Sequence, residues 1–145
     1  MATRTGGKKE LEVFLLERCR ELCEFASNEV YEAINFFLAQ YYSEWQPSVY
    51  QRTYDMLHSA FKTEVKKVGN GYQSIVGIDY ESLDSYKDVS GWQAVTYANE
   101  ETHGGLNVDT HTRVFDDAID STITSGQLLK DCIVFLRSKG FTVIE

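Results

Sequence analysis

The chain has 145 residues, of which 43% are hydrophobic and 13% aromatic, so it is long enough to build one domain with its own core. A formal net charge of −8, from 22 acidic and 14 basic side chains, argues against sequence-independent binding of DNA. One proline and ten glycines exclude a collagen-like or proline-rich chain. We expect a flexible N-terminal arm over residues 1–8 and a single domain over residues 9–145.

The basic start of the chain is followed by no apolar segment, so it does not resemble a secretory signal. The longest apolar run, residues 33–39, is far shorter than the roughly 20 residues of a membrane-spanning helix, and we predict no membrane segment. The three cysteines, Cys19, Cys23 and Cys132, favour reduced thiols over a disulfide framework. We interpret Cys19 and Cys23 as small buried side chains on one helical face rather than as a metal or redox pair.

A long helix is predicted from Lys9 to about Trp45. Its apolar residues recur at steps of three and four, as on one face of a helix: Leu11, Leu15, Cys19, Leu22, Ala26, Val30, Ala33 or Ile34, Phe37 and Tyr41. Such a helix would span roughly 50 Å, more than a domain of this size needs to cover its core. We therefore expect part of it to pack on a neighbouring molecule. Pro47 ends or bends the helix, and one further helical turn could form over residues 54–57.

A β-hairpin is predicted next. Residues 60–68 alternate in the manner of a strand, Gly69-Asn70-Gly71 supplies a turn that tolerates positive φ, and residues 72–80 form the returning strand. The lysines of the first arm indicate the solvated side of an edge strand, where they also discourage unwanted pairing; they are Lys62, Lys66 and Lys67.

The segments after the hairpin are less regular. Residues 81–91 predict a surface loop in which Asp88 or Ser90 could cap the next element. Periodicity does not separate helix from strand over residues 92–100. Residues 101–107 predict an exposed loop, and residues 112–121 a helix.

The last helix is predicted over Gly126 to Lys139, with Ser125 as its N-cap and Gly140 as the C′ residue. Residues 141–144 alternate and should add a final strand to the hairpin sheet. The predicted fold class is α+β, with a long N-terminal helix and a C-terminal helix packed on a small antiparallel sheet built around the hairpin.

One segment carries metal-like chemistry, with five potential ligands within twelve positions: Glu100, Glu101, His103, Asp109 and His111. Their spacing matches no closed structural site, and a Gly-Gly loop more often carries solvated histidines. We predict no bound metal and no cofactor. We also predict no catalytic residue, because the sequence lacks a nucleophile elbow, a phosphate loop, a zinc-protease helix motif and a dinucleotide fingerprint.

The aromatic segment around Pro47 is a candidate interface. Arg52 stands between Tyr50 and Tyr54, and Arg and Tyr are enriched where interfaces bind most strongly. The alternative is that both tyrosines pack under the long helix while Arg52 pairs with one of its carboxylates.

Three motifs give the chain a family resemblance. They are Trp45-x-Pro47-x-x-Tyr50-x-Arg52-Thr53-Tyr54, the segment from Tyr97 to Gly105, and the closing helix with Gly140 and the strand after it. In these motifs and in its order of elements, the chain resembles the tail-completion and head-tail joining (neck) proteins of long-tailed bacteriophages.

The resemblance implies a structural virion protein that is not an enzyme and that forms a homo-oligomeric ring at the neck. Its partners would be portal or connector adaptor proteins and tail tube or tail terminator proteins, and DNA would pass through without specific binding. The sequence leaves open whether the role is tail completion, tail termination or connector adaptation. The implied interface residues are Trp45, Pro47, Tyr50, Arg52, Tyr54, His103 and Gly104. The alternative function is a small intracellular metal-binding or partner-binding module that uses the loop from Glu101 to His111.

Overall fold

The long N-terminal helix dominates the architecture. The computed structural model of the protein describes residues 7–44, 55–83, 90–100 and 112–144. Helix α1 runs from Lys8 to Glu44, 37 residues or about 55 Å, which confirms the predicted helix to within one residue at each end. Ion pairs between neighbouring turns support its solvated first half, with Arg20 bridging Glu17 at 2.6 Å and Glu24 at 3.5 Å.

The hairpin is built from four short strands rather than the two continuous strands predicted. These are β1 (Ala60–Lys62), β2 (Lys66–Val68), β3 (Gly71–Gln73) and β4 (Val76–Ile78), in which β1 pairs with β4 and β2 with β3, both antiparallel. A 3₁₀ turn over Met56–His58 precedes them, close to the predicted helical turn. Gly69 has φ 59°, as the predicted turn requires.

The hairpin arms are interrupted by a bulge. Residues 63–65 of the first arm face only residues 74–75 of the second, because the register shifts by one between the two strand pairs. Thr63 organises this point: its N–H donates to the Ile75 carbonyl at 2.9 Å, and its hydroxyl accepts from the Ile75 N–H at 2.8 Å. The Ser74 hydroxyl donates to the Thr63 carbonyl at 2.8 Å. Side-chain bonds therefore replace ladder bonds at the bulge.

The segment that periodicity left open between helix and strand is helix α2 (Gly91–Asn99). Ser90 is its N-cap, one of the two predicted candidates. The Ser90 hydroxyl accepts from the Gln93 N–H at 3.2 Å, while the Gln93 side chain accepts from the Ser90 N–H at 2.8 Å. This reciprocal capping box stabilises the start of a helix and explains why the segment is helical.

Helix α3 (Val114–Ile119) continues into a π-helical turn over Asp120–Thr124, so the predicted helix over 112–121 starts later and changes its winding. In this turn the Ser125 N–H reaches back five residues to the Asp120 carbonyl at 2.9 Å. The buried hydroxyl of Thr122 donates to the Ala118 carbonyl at 2.6 Å. Hydroxyls of this kind compete for helical carbonyls, which favours the wider turn.

Helix α4 runs over Gln127–Ser138, which confirms the predicted C-terminal helix. The predicted N-cap is wrong by one position. Gly126, with φ 78°, takes the N-cap position. Ser125 lies one residue before the N-cap, and its hydroxyl accepts from the Gln127 N–H at 3.2 Å. Gly140 is the predicted C′ residue: it has φ 92° and donates to the Arg137 carbonyl at 3.0 Å, while the Phe141 N–H donates to Leu136 at 3.1 Å. These two bonds form a Schellman motif.

The predicted final strand over residues 141–144 is wrong, because this segment pairs with neither arm of the hairpin. The Schellman turn instead directs Phe141 to α1, where its ring centroid lies 6.1 Å from that of Phe14. Ile144 is 93% exposed. Alternation alone could not distinguish a strand from an extended tail on a helix.

The core is small and lies at one end of α1. The fully buried apolar side chains come from the second half of α1, from α2 and from α3: Ile34, Leu38, Tyr41, Ala98, Val114 and Ala118. The hairpin packs against it through Ala60, Val76 and Ile78. The predicted α+β class is therefore confirmed. Cys19 is exposed rather than buried, and Cys23 and Cys132 are half-buried. Within the described ranges, no helix is long and apolar enough to cross a membrane.

Candidate interface

The interface residues predicted from the sequence lie outside the residues that the structure describes: Trp45, Pro47, Tyr50, Arg52, Tyr54, His103 and Gly104. The same holds for the alternative metal loop from Glu101 to His111. Among the described residues, no group of three or more His, Cys, Asp or Glu side chains is placed to hold a metal ion.

The structure brings together the described residues that border these segments. Glu44, the last residue of α1, accepts hydrogen bonds from both the backbone N–H of Thr112, at 3.2 Å, and its hydroxyl. Thr112 is buried, so this contact is shielded from water. The end of α1 and Thr112 are therefore held together although they lie 68 positions apart in the chain.

Side chains from α2 and from α3 itself bond the backbone N–H groups at the start of α3. The first N–H groups of a helix have no partner inside the helix. The Oδ1 of Asn99 accepts hydrogen bonds from two of them, the N–H of Phe115 at 3.0 Å and the N–H of Asp116 at 2.8 Å. Asp117 accepts from the Arg113 N–H at 2.9 Å. The end of α2 is thus joined to the first turn of α3.

The first half of α1 carries an exposed apolar surface. Leu11 is 43% exposed and Leu15 is 42% exposed, and their spacing of four places them on one face of the helix. Val13, on another face, is 62% exposed. Leu11 and Leu15 belong to the predicted apolar face, yet the chain's own core lies beyond them. We call Leu11 and Leu15 the α1 leading face and treat it as a candidate protein–protein contact.

A second exposed apolar surface was not predicted from the sequence. Trp92, at the start of α2, packs edge-to-face on Tyr80 with ring centroids 5.2 Å apart, and both rings are exposed. Trp and Tyr are enriched at the strongest points of interfaces. The available signal was a tryptophan two positions after a helix-capping serine, but only the fold brings Tyr80 beside it.

A third feature is a groove of about 380 Å³ between α1 and α4, which run antiparallel. Phe25 and Phe135 stack at 4.7 Å, and Lys139 pairs with Glu21 at 3.8 Å beyond one end. We call this feature the α1/α4 groove, and it is lined by Phe25, Glu29, Asp131, Val134, Phe135 and Ser138.

Two carboxyl groups face each other in the α1/α4 groove. Burial and a hydrogen bond with Asp131 raise the pKa of Glu29, and Glu32 adds to the effect. Burial, together with both carboxylates, also raises the pKa of the Cys132 thiol. Gln127 donates to Asp131 at 2.9 Å. Within the described part of the chain, neither Glu29 nor Asp131 forms an ion pair with a basic side chain. The hydrogen bond between them requires a proton on one carboxyl group, so the pair carries at least one negative charge that has no basic partner there.

A further cleft lies between α1 and the hairpin bulge and is lined by residues that include Arg20, Lys62 and Thr63. Its cations already have partners. Arg20 pairs with Glu17 and Glu24, and the Lys62 ammonium donates to the Asn28 side chain. The cleft is therefore a poor anion site, and Lys62 is not the freely solvated lysine predicted from the sequence.

Comparison with known proteins places the chain in a family. Residues 9–138, from the start of α1 to the last residue of α4, match the family described as YomN. The chain belongs to the YomN family. Membership makes it a phage-related protein, which confirms the general part of the resemblance. No curated protein and no solved structure matches the chain. The YomN unit thus includes the core, the α1/α4 groove and the α1 leading face.

Proposed function

We propose that this YomN family member is a structural protein of a tailed-phage virion that assembles as a ring at the neck, between the portal or connector and the tail tube. Its role there is tail completion or head-tail joining, performed without an active site. The observation that carries the proposal is the exposure of Leu11 and Leu15 near the start of α1. Both lie beyond the end of the helix that contributes to the chain's own core.

The distribution of burial supports assembly. Fully buried apolar residues of α1 begin only at Ile34, although the helix starts at Lys8. Burying exposed apolar side chains against another subunit stabilises a complex by about 25 cal/mol per Å² of apolar area. A contact that repeats between unlike surfaces of successive copies closes into a ring when the rotation permits. The proposed mechanism is therefore geometric.

The charge of the chain supports a conduit for DNA better than a DNA-binding site. A net charge of −8 disfavours attachment to phosphates while allowing DNA to pass along an acidic lining. The exposed lysines of β2, Lys66 and Lys67, are too few to reverse this balance.

The test is the mass of the purified protein in solution, measured by light scattering and native mass spectrometry over a range of concentrations. The same measurement is repeated with connector and tail fractions from virions. We expect a ring, or a monomer that becomes part of a ring when those fractions are added. A monomer or dimer at every concentration, with no incorporation into particles, would contradict the proposal.

A further inference from the structure

The α1/α4 groove is shaped for an occupant that is both apolar and basic. Its aromatic wall is the stacked pair of Phe25 and Phe135, extended by Val134, which is 63% exposed. Its rim carries the carboxyl groups of Glu29 and Asp131, which have no basic partner among the described residues. An apolar cleft with unpaired carboxylates favours a segment that offers an aliphatic side chain beside a cation.

The start of α1 offers that combination. Lys8 and Lys9 are exposed, and neither forms an ion pair within the described chain. Val13 is 62% exposed and lies four positions after Lys9, so the two side chains share a face of the helix. One helical turn thus presents a cation and a branched aliphatic group together.

The start of α1 cannot reach the groove of its own chain. Lys9 and Glu29 lie twenty positions apart on the same continuous helix, which separates them by roughly 30 Å. A lysine side chain does not cover that distance. The contact would join two different surfaces of successive copies, which is the type of contact that builds a ring.

We propose that the first turns of α1 of one copy, through Lys8, Lys9 and Val13, bind in the α1/α4 groove of the next copy against Glu29 and Asp131. The inference rests on the proposed ring assembly and specifies one of its contacts.

Because Lys9 and Glu29 of one chain lie too far apart to be joined directly, a zero-length cross-link between them must connect two copies. Equal amounts of ¹⁵N-labelled and unlabelled protein are mixed, assembled and treated with a carbodiimide, and cross-linked peptides are identified by mass spectrometry. We expect amide links from Lys8 or Lys9 to Glu29 or Asp131, with one labelled and one unlabelled partner in mixed pairs. Assembled protein without these links would overturn the proposed contact.

Charge variants provide an independent measure. The double variant Glu29→Gln with Asp131→Asn should raise the concentration for half-assembly by at least about tenfold. Glu81→Gln, an exposed carboxylate outside both the groove and the first turns of α1, is the matched control. Combining Glu29→Lys with Lys9→Glu should restore assembly relative to either single change.

Circular dichroism establishes that each variant is folded before its assembly is compared. Wild-type assembly in the double neutral variant would overturn the contact while leaving the ring proposal standing. A wild-type chain that never assembles, alone or with virion fractions, would overturn both.

Discussion

Gly91 is the residue whose identity the structure constrains most directly. It is buried at the start of α2, and a Cβ built on it would overlap the carbonyl oxygen of Tyr80 and lie 2.9 Å from the Cβ of Leu83. Gly91→Ala should therefore force the end of the hairpin away from α2. We expect a loss of about 2 kcal/mol or more in the free energy of unfolding, measured by urea denaturation.

The matched control is Gly71→Ala in β3, where the added Cβ meets nothing closer than 4.0 Å. It should change stability by less than about 1 kcal/mol. Equal losses at the two positions would mean that loss of glycine itself, rather than the contact with Tyr80, is responsible.

Glu29 links stability to pH. Burial and the neighbouring carboxyl groups of Asp131 and Glu32 raise its pKa above the ordinary value of 4.5, and the half-buried Cys132 thiol also lies beside it. Below the ordinary value both folded and unfolded chains hold the proton, so there is no penalty. As pH rises above that value the folded chain ionises less readily, and stability is lost.

Glu29→Gln should remove this penalty. At a protein concentration too low for assembly, we expect the melting temperature to rise by about 1–3 °C at pH 7 and to remain unchanged at pH 4, measured by differential scanning calorimetry. Glu12→Gln separates the effect of the groove from a general loss of one negative charge. A gain that is equal at both pH values would contradict the explanation.

Helix α3 depends on a cap from another element. It has only 6 residues, and the Asn99 side chain of α2 accepts two of its first N–H groups. Asn99→Ala should cost about 1–2 kcal/mol of unfolding free energy and loosen the contact between the end of α2 and the first turn of α3. Urea denaturation gives the first quantity, and amide hydrogen exchange at Phe115 and Asp116 reports the second.

Asn35→Ala is the control for this substitution. The Asn35 amide donates to the Tyr31 carbonyl one turn earlier in α1, where the helix already uses that carbonyl. Its loss should change stability by less than about 0.5 kcal/mol. A comparable loss at both positions would argue against a specific capping role for Asn99.

Elements with strong local signals were predictable, and those that depend on other elements were not. Helix α1 follows from apolar steps of three and four, and the end of α4 follows from Gly140. The bulge beside Thr63 was missed because it depends on which residues face each other across the hairpin. The prediction of a strand after Gly140 was wrong because Phe141 packs on Phe14 of α1 instead of on the hairpin.

At the scale of the whole molecule, the exposed α1 leading face should serve assembly rather than folding. Leu11→Gln combined with Leu15→Gln should change the melting temperature by less than about 2 °C, because neither residue belongs to the core. The same variant should shift the assembled species toward monomer, measured by light scattering.

Ile34→Ala provides the contrast, since Ile34 is fully buried in the core. It should cost about 2–4 kcal/mol and lower the melting temperature by several degrees. A large melting shift in the Leu11 and Leu15 variant, with unchanged assembly, would place those residues in the fold of a single chain instead.

The candidate interface was only partly predictable from the sequence. The excess length of α1 indicated a contact with a neighbour, and Leu11 and Leu15 in its first half are exposed, as such a contact requires. The residues from Trp45 to Tyr54 remain a prediction, since they lie outside the described residues. The α1/α4 groove was missed, because Glu29 and Asp131 are separated by about a hundred positions and no local pattern joins them.

The sequence by itself determined the α+β class, the extent of α1 and α4 and the phage-related family, because helical periodicity, capping residues and family motifs are local properties of the chain. Tertiary structure alone decided that the core surrounds Ile34 and Leu38, that Glu44 holds Thr112, and that Phe25 stacks on Phe135. These contacts join residues distant along the chain. Which apolar residues remain exposed therefore depends on which partners the folded elements provide.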